Sequence, residues 1–140
     1  MNLLIVDDEY LVVEEVVTVT DWELLGITEI YSATNAVSAV RILNEKKIDI
    51  MICDIEMPQT DGLELSKKAK ENFPDLEIVM LTSHAEFNYV RNALRYGCYD
   101  YLLKPVMEDD IIKVMKNLVT KIERERHQAQ LQEEGIVWNQ

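Results

Sequence analysis

Three aspartates, a threonine and a lysine stand where hydrophobic runs of this sequence end. Asp7 and Asp8 follow the run LLIV, Asp54 follows IMIC, Thr82 follows IVML and Lys104 follows YLL. Three carboxylates close together repel one another and raise each other's pKa unless a cation sits among them. Oxygen ligands of this kind suit Mg²⁺, which binds one or two carboxylates together with phosphate oxygens. One carboxylate can then form an aspartyl phosphate, while the hydroxyl and the ammonium contact the phosphoryl oxygens.

These residues can meet only if the runs before them are strands of one sheet. Apolar strand patterns cover residues 3–6, 29–33, 48–53, 76–81 and 99–103, and helical patterns cover 10–25, the stretch after 35, 62–72, 86–96 and 108–126. Five strands alternating with five helices predict an α/β fold with a five-stranded, doubly wound parallel sheet. The carboxyl ends of parallel strands share one edge of such a sheet, so the five side chains are expected to gather there.

Three residues indicate where helices begin or end and where the backbone turns. Asn35 is predicted to cap the second helix, and Gly97 to close the fourth. Gly62 is predicted to let the loop beside Asp54 turn tightly, because glycine lacks a Cβ.

The composition bounds the possible partners. The chain has 140 residues, 48% of them hydrophobic, which suits one compact domain. Its 26 acidic and 14 basic residues give a formal net charge of −12. Such a surface repels phosphates, so we expect no nucleic-acid binding by this chain alone.

The cysteines and the N-terminus indicate the cellular compartment in which the protein is expected. Cys53 and Cys98 have no metal-type spacing and are more typical of small buried hydrophobes. The N-terminus lacks the basic region and long apolar run of a signal peptide. No stretch reaches the roughly 18 apolar residues that a membrane span needs. We therefore expect a cytoplasmic protein with no membrane contact.

Four short blocks carry a resemblance to a known family. They are VDDE at 6–9, DIEMPQTDG at 54–62, LTS at 81–83 and YLLKP at 101–105. In this order, each at the end of a strand pattern, they resemble the receiver domains of response regulators in bacterial two-component signalling. The resemblance covers roughly residues 1 to 125 and implies a flavodoxin-like (βα)5 receiver.

The resemblance implies a phosphorylation site with a bound Mg²⁺. Asp54 would accept the phosphoryl group from a phosphohistidine of a sensor histidine kinase. Asp8 would bind the metal directly and Asp7 largely through water, while Asp54 and the backbone carbonyl of Glu56 would complete the ligands. Such a receiver assists its own phosphorylation and dephosphorylation but has no external substrate to turn over.

The resemblance also implies which residues respond to phosphorylation. Lys104 would bind the phosphoryl group, with a cis bond to the proline that follows. Thr82 and Tyr101 would form the switch pair, and Glu56 and His84 would tune the lifetime of the phosphoryl group. Plainer interpretations stay open, since a threonine here can cap the next helix, a strand tyrosine can serve packing, and a histidine can simply lie in a loop.

The expected output lies beyond this switch. A receiver of this kind would change the face made by its fourth helix, fifth strand and fifth helix, and would dimerise there. Residues 126–140 look like a helical extension or linker to an absent output domain. The segments DWELLGI at 21–27 and GCYDYLLKP at 97–105 resemble regulators with an AraC-type helix-turn-helix, which would control transcription. A stand-alone receiver is the alternative.

Other classes fit the residues less well. A haloacid dehalogenase-type phosphatase also uses an aspartate nucleophile, but it would want an aspartate two residues later, where this chain has Glu56. A flavodoxin-type cofactor binder would want a Ser/Thr/Gly-rich loop after the first strand, and the sequence there is acidic. A degenerate receiver that acts only by constitutive binding would not need all of these chemical residues.

Overall fold

The computed structural model describes residues 1–57, 60–83 and 87–138. Its main sheet has five strands: β1 (Asn2–Val6), β2 (Glu29–Ala33), β3 (Ile50–Asp54), β6 (Glu77–Thr82) and β7 (Asp100–Leu103). All neighbouring pairs are parallel, in the order β2-β1-β3-β6-β7. The predicted α/β class and five-stranded parallel sheet are confirmed.

Helices cover both faces of this sheet. They are α1 (Tyr10–Thr18), α2 (Ala36–Glu45), α3 (Gly62–Asn72), α4 (Phe87–Arg95) and α5 (Glu108–Trp138). One apolar cluster joins α1 and α5 to one face, and a second joins α2, α3 and α4 to the other. Because both faces are covered, the central strands are apolar between their end residues, as a doubly wound sheet requires.

The first helix is shorter than the sequence pattern indicated. The predicted helix at 10–25 ends at Thr18, and a separate 3₁₀ turn covers Trp22–Leu25. Trp22 is only 4% exposed, and its indole N–H donates to the Val16 carbonyl oxygen at 3.0 Å. The chain bends so that this large side chain reaches the core. Gly26, with φ of 91°, ends the turn.

Two short strands follow Asp54 and were not anticipated. β4 (Glu56–Met57) pairs antiparallel with β5 (Thr60–Asp61). β3 also begins later than predicted, at Ile50, and includes Asp54 as its last residue. The pairing fixes the path of the chain between the end of β3 and the start of α3.

The predicted helix ends are confirmed at two sites. The Asn35 side chain accepts a hydrogen bond from the Ser38 N–H at 2.8 Å. Gly97 has φ of 90° just after α4, and its N–H donates to the Leu94 carbonyl oxygen at 3.2 Å. Glycine suits this left-handed conformation because it has no Cβ to clash.

The last helix continues past the region where its apolar pattern fades. α5 runs without a break to Trp138, so residues 127–138 are helical rather than an irregular linker. The division of the chain at residue 125 stays a prediction. No helix in the described ranges is both long and apolar enough to span a bilayer.

Candidate functional site

The carboxyl edge of the sheet brings the predicted side chains together. β1, β3, β6 and β7 are consecutive neighbours, and they end at or next to Asp7, Asp54, Thr82 and Lys104. The Lys104 Nζ lies 2.7 Å from Asp7 Oδ2 and 3.4 Å from Asp54 Oδ1. Residues nearly a hundred positions apart in sequence thus form one cluster.

The three aspartates could hold a metal ion. Asp7, Asp8 and Asp54 each offer a carboxylate oxygen, and these atoms all lie within 4.8 Å of one another. Asp7 and Asp54 are buried, while Asp8 lines the crevice above them. Three anionic ligands at this separation need a cation to offset their repulsion, and hard oxygen atoms suit Mg²⁺.

Asp7 supplies an independent test of that fit. Its Oδ1 accepts a hydrogen bond from the Glu9 N–H at 2.9 Å. Its Oδ2 is fully buried and lies 2.7 Å from the Lys104 ammonium, its ion-pair partner. Lys104 offsets only one of the three negative charges of Asp7, Asp8 and Asp54, so this group of carboxylates fits a further bound cation.

Asp54 is held in place but poorly solvated. Its side chain lies at the end of β3 and is 3% exposed, and its Oδ1 accepts a hydrogen bond from the Glu56 N–H at 3.2 Å. Burial, together with the negative charge of Asp7, raises the pKa of Asp54 from 3.8 to about 6, against the opposing effect of Lys104. Ionised Asp54 is therefore under electrostatic strain that a cation would relieve.

Lys104 stays protonated in this setting. Burial alone would lower its pKa, but Asp7 and Asp54 together outweigh burial, so the pKa of Lys104 is raised. Its backbone N–H donates to the Thr82 carbonyl oxygen at 2.8 Å, which joins β7 to β6 at this edge. The predicted cis peptide bond to Pro105 is present.

Gly62 touches the backbone of Asp54. A Cβ at this position would lie 1.9 Å from the Asp54 carbonyl oxygen, and the Gly62 N–H donates to the Ile55 carbonyl oxygen at 3.0 Å. Gly62 was predicted to let the loop beside Asp54 turn tightly. The structure gives a different reason, since φ of Gly62 is not positive and the requirement is a close approach of α3 to β3.

The crevice above these residues is open to solvent and measures about 380 Å³. It is lined by Asp8, Glu9, Asp54, Glu56, Met57, Ser83 and Lys104. Sequence reasoning did not single out Met57 or Ser83 as lining residues. Both follow a predicted site residue, Glu56 or Thr82, just past the end of a strand of the main sheet, and that position could have indicated that they line the crevice. A tetrahedral phosphoryl group can enter from this side and meet the Asp54 carboxylate.

The remaining predicted residues lie around this crevice. Thr82 is fully buried at the end of β6. Tyr101 is half-buried on β7, opposite Met80 in register, and packs against the cluster that α2, α3 and α4 form with the sheet. The Glu56 side chain is exposed beside Asp54. His84 lies outside the described residues, so its predicted role is untested.

Comparison with known proteins agrees with this arrangement. Residues 3–116 match the family model described as the response regulator receiver domain. The chain is 34% identical over 124 residues to YesN of Bacillus subtilis, an uncharacterized transcriptional regulatory protein. This match covers 89% of this chain and 34% of that protein. It is 32% identical over 127 residues to the response regulator SaeR of Staphylococcus aureus, covering 91% of this chain and 54% of that protein.

Solved structures show the same fold. The receiver domain of AraT, a response regulator from Geobacillus stearothermophilus, is 30% identical with a TM-score of 0.83, and the match covers 89% of this chain and 97% of that one. An AraC two-component transcriptional regulator from Clostridium phytofermentans, at 23% identity and a TM-score of 0.82, supports the fold alone. The chain spans about a third to a half of the length of the curated relatives.

Proposed function

Because the chain belongs to the response regulator receiver family, we propose that it is a phosphorylation-dependent switch whose phosphoacceptor is Asp54. A sensor histidine kinase would supply the phosphoryl group from a phosphohistidine. The observation that carries the proposal is the Asp54 carboxylate at the floor of an open crevice, 3.4 Å from the Lys104 ammonium and beside two further aspartates.

The aspartates would hold Mg²⁺ during this transfer. Asp7, Asp8 and Asp54 would supply carboxylate oxygens and Glu56 its backbone carbonyl oxygen. A bound Mg²⁺ would offset the charge that accumulates between the carboxylates and the phosphoryl oxygens. The three carboxylates, whose oxygens lie within 4.8 Å of one another and are offset by the single ammonium of Lys104, support this assignment.

The chain's own side chains would position the reaction. An Asp54 oxygen would attack phosphorus while the bond from phosphorus to the kinase imidazole nitrogen breaks, which forms an aspartyl phosphate. The departing imidazole would leave as neutral histidine, with one proton either already on its other ring nitrogen or taken from water. Lys104, already 3.4 Å from Asp54, would pair with the phosphoryl oxygens. The Glu56 N–H orients the carboxylate. Such transfer depends mainly on positioning and charge stabilisation, and no external substrate would be turned over.

Phosphorylation would then act on the face formed by α4, β7 and α5. It adds about −1.5 to −2 charges at one point, which must bias a two-state element to have a distant effect. Thr82 and Tyr101 would be that element, and Glu56 and His84 would tune the phosphoryl lifetime. Exposed apolar side chains on this face, at Leu94 and Leu103, suit a homodimer contact.

The output would belong to a part of the protein beyond this chain. We place the receiver at residues 1–125 and assign 126–140 as its helical connection to a DNA-binding domain of AraC type. Relatives whose names describe transcriptional regulatory proteins support a transcriptional output, as do the lengths by which they exceed the chain. The receiver would act in the cytoplasm. A stand-alone receiver is the alternative, and an aspartate-nucleophile phosphatase fits less well.

The central test is phosphoryl labelling of the isolated chain. Wild type incubated with Mg²⁺ and acetyl phosphate should gain one phosphoryl group in intact-mass measurements, and Asp54→Asn should gain none. Asp75→Asn, the same change at an exposed aspartate after α3, should label like wild type. Equal labelling of Asp54→Asn and wild type would make the assignment of Asp54 wrong.

A further inference from the structure

Two nearly buried acids lie at the end of the sheet opposite Asp54, where the strands begin. Asp49, just before β3, and Glu77, the first residue of β6, are each 8% exposed. Neighbouring strands place these carboxylates at adjacent positions, since the Glu77 N–H donates to the Asp49 carbonyl oxygen at 3.1 Å. Buried carboxylates need partners, and each one here meets a cation from α5.

The Asp49 carboxylate joins the start of β1 to the last helix. Its Oδ2 accepts a hydrogen bond from the Asn2 backbone N–H at 2.7 Å. Its Oδ1 accepts a hydrogen bond from the Arg126 guanidinium. Since Asn2 belongs to the central sheet, Arg126 is bound to the rigid part of the fold.

The Glu77 carboxylate makes a second connection. The Lys121 Nζ donates to Glu77 Oε1 at 2.8 Å and also lies 3.1 Å from Glu125. The same ammonium sits 5.9 Å from the centre of the Tyr99 ring. Its hydrogen bond with Glu77 is the main cause of the raised pKa of Lys121. Lys121 is thus held by groups from β6, from the approach to β7 and from its own helix.

These two contacts stand where the apolar packing of α5 ends. Within residues 108–134, where side-chain burial is described, Ile122 is the last buried residue, and every side chain from 123 to 134 is exposed. The helix nevertheless continues to Trp138. The packed part of α5 already supplies the costly first turn, so the residues beyond it only propagate the helix. Exposed helix ends open easily, and a turn that is fixed at 121–126 extends the ordered helix from which residues 127–138 propagate.

We propose that Lys121 and Arg126 form an ionic clamp, which binds the last packed turn of α5 to Asp49 and Glu77 and thereby keeps residues 127–138 helical. The clamp also fixes the direction in which the helix leaves the domain. If the proposed output domain follows, the clamp makes its connection to the receiver stiff. The clamp itself does not depend on that proposal, because all four side chains lie within this chain.

Hydrogen exchange followed by mass spectrometry tests the clamp. In Arg126→Gln, amides in 123–134 should exchange about tenfold faster, since removing one partner leaves a nearly buried charge without its counter-ion. Lys121→Gln should act in the same direction but by less, because the Lys70 Nζ stays 3.8 Å from Glu77 Oε1 and still offsets its charge. Arg124→Gln, the same substitution type on an exposed side chain of the same helix, should leave exchange in 123–134 unchanged. Peptides from β1 and β3 should exchange as in wild type in all three variants.

Two results would overturn the clamp. One is equal exchange in 123–134 for Arg126→Gln and Arg124→Gln. The other is a uniform increase over the whole domain, which would mean that the substitution weakens the global fold rather than the helix end. Asp49→Asn combined with Arg126→Gln adds a check, because the effects of two directly paired groups should not be additive. Additive effects would contradict the pairing, and phosphoryl labelling of Asp54 should not change in any of these variants.

Discussion

Replacing Asp54 by asparagine should stabilise the metal-free protein at neutral pH. The pKa of Asp54 is raised from 3.8 to about 6 because burial and the charge of Asp7 disfavour its ionised form. A rise of this size corresponds to about 3 kcal/mol of lost folding free energy once the group is fully ionised. The crevice is open to water, so we expect about 2 kcal/mol. Asparagine removes the charge and keeps an oxygen that can accept the Glu56 N–H.

The pH dependence of this effect has a definite sign. Between pH 3.8 and about 6 the folded protein keeps a proton on Asp54 that the unfolded chain has lost. The contribution of Asp54 to the stability of wild type therefore falls through this window as pH rises, and the loss is complete above it. Below pH 4 the charge-dependent advantage of Asp54→Asn should vanish. Carboxylates remote from Asp54 titrate alike in both proteins, so their effects cancel in the difference.

Urea unfolding in EDTA, followed by far-UV circular dichroism at pH 4, 5, 6 and 7.5, measures this difference. Asp75→Asn serves as the control, because it makes the same change at an exposed site and should differ little from wild type. Mg²⁺ should narrow the gap at pH 7.5, since a metal at 100 times its Kd stabilises wild type by about 2.7 kcal/mol. If Asp54→Asn is no more stable than wild type at pH 7.5, or its advantage does not change with pH, the electrostatic reasoning is refuted.

Three further substitutions test other parts of the site. Gly62→Ala should destabilise the fold by about 1–3 kcal/mol in urea unfolding and slow the labelling of Asp54, because the new Cβ would meet the Asp54 backbone. Unchanged stability and labelling would contradict the close approach of Gly62 to Asp54. Lys104→Gln should lower the free energy of unfolding in EDTA by about 2–4 kcal/mol, since it leaves the buried Asp7 carboxylate without its ion-pair partner. Mg²⁺ should restore part of that loss. Unchanged stability would count against the ion pair. Arg95→Glu should raise the Kd of phosphorylation-dependent dimers about fivefold in sedimentation, as expected for an exposed interface charge; no change would exclude a contact at that end of α4.

The fold class followed from patterns that are local in sequence. Runs such as those ending at Val6 and Leu103 are short and apolar, and the stretches between them repeat with helical period, so the alternation of strand and helix was readable. The first helix was the exception. Its apolar spacing fitted a longer helix, although its β-branched residues make helix propensity weak. Burying Trp22 required a bend after Thr18. The bend depends on where the core lies, which no local pattern records.

The sequence by itself determined which chemical groups stand at the strand ends, because the polar residue after an apolar run is visible without coordinates. Asp7, Asp54 and Lys104 were identified in this way. Only the tertiary structure decided how far apart they lie, how deeply they are buried and why the pKa of Asp54 rises. It alone paired Asp49 with Arg126, which are 77 residues apart. Strand order and the docking of α5 create these contacts, and both depend on the packing of the whole sheet rather than on any segment of the chain.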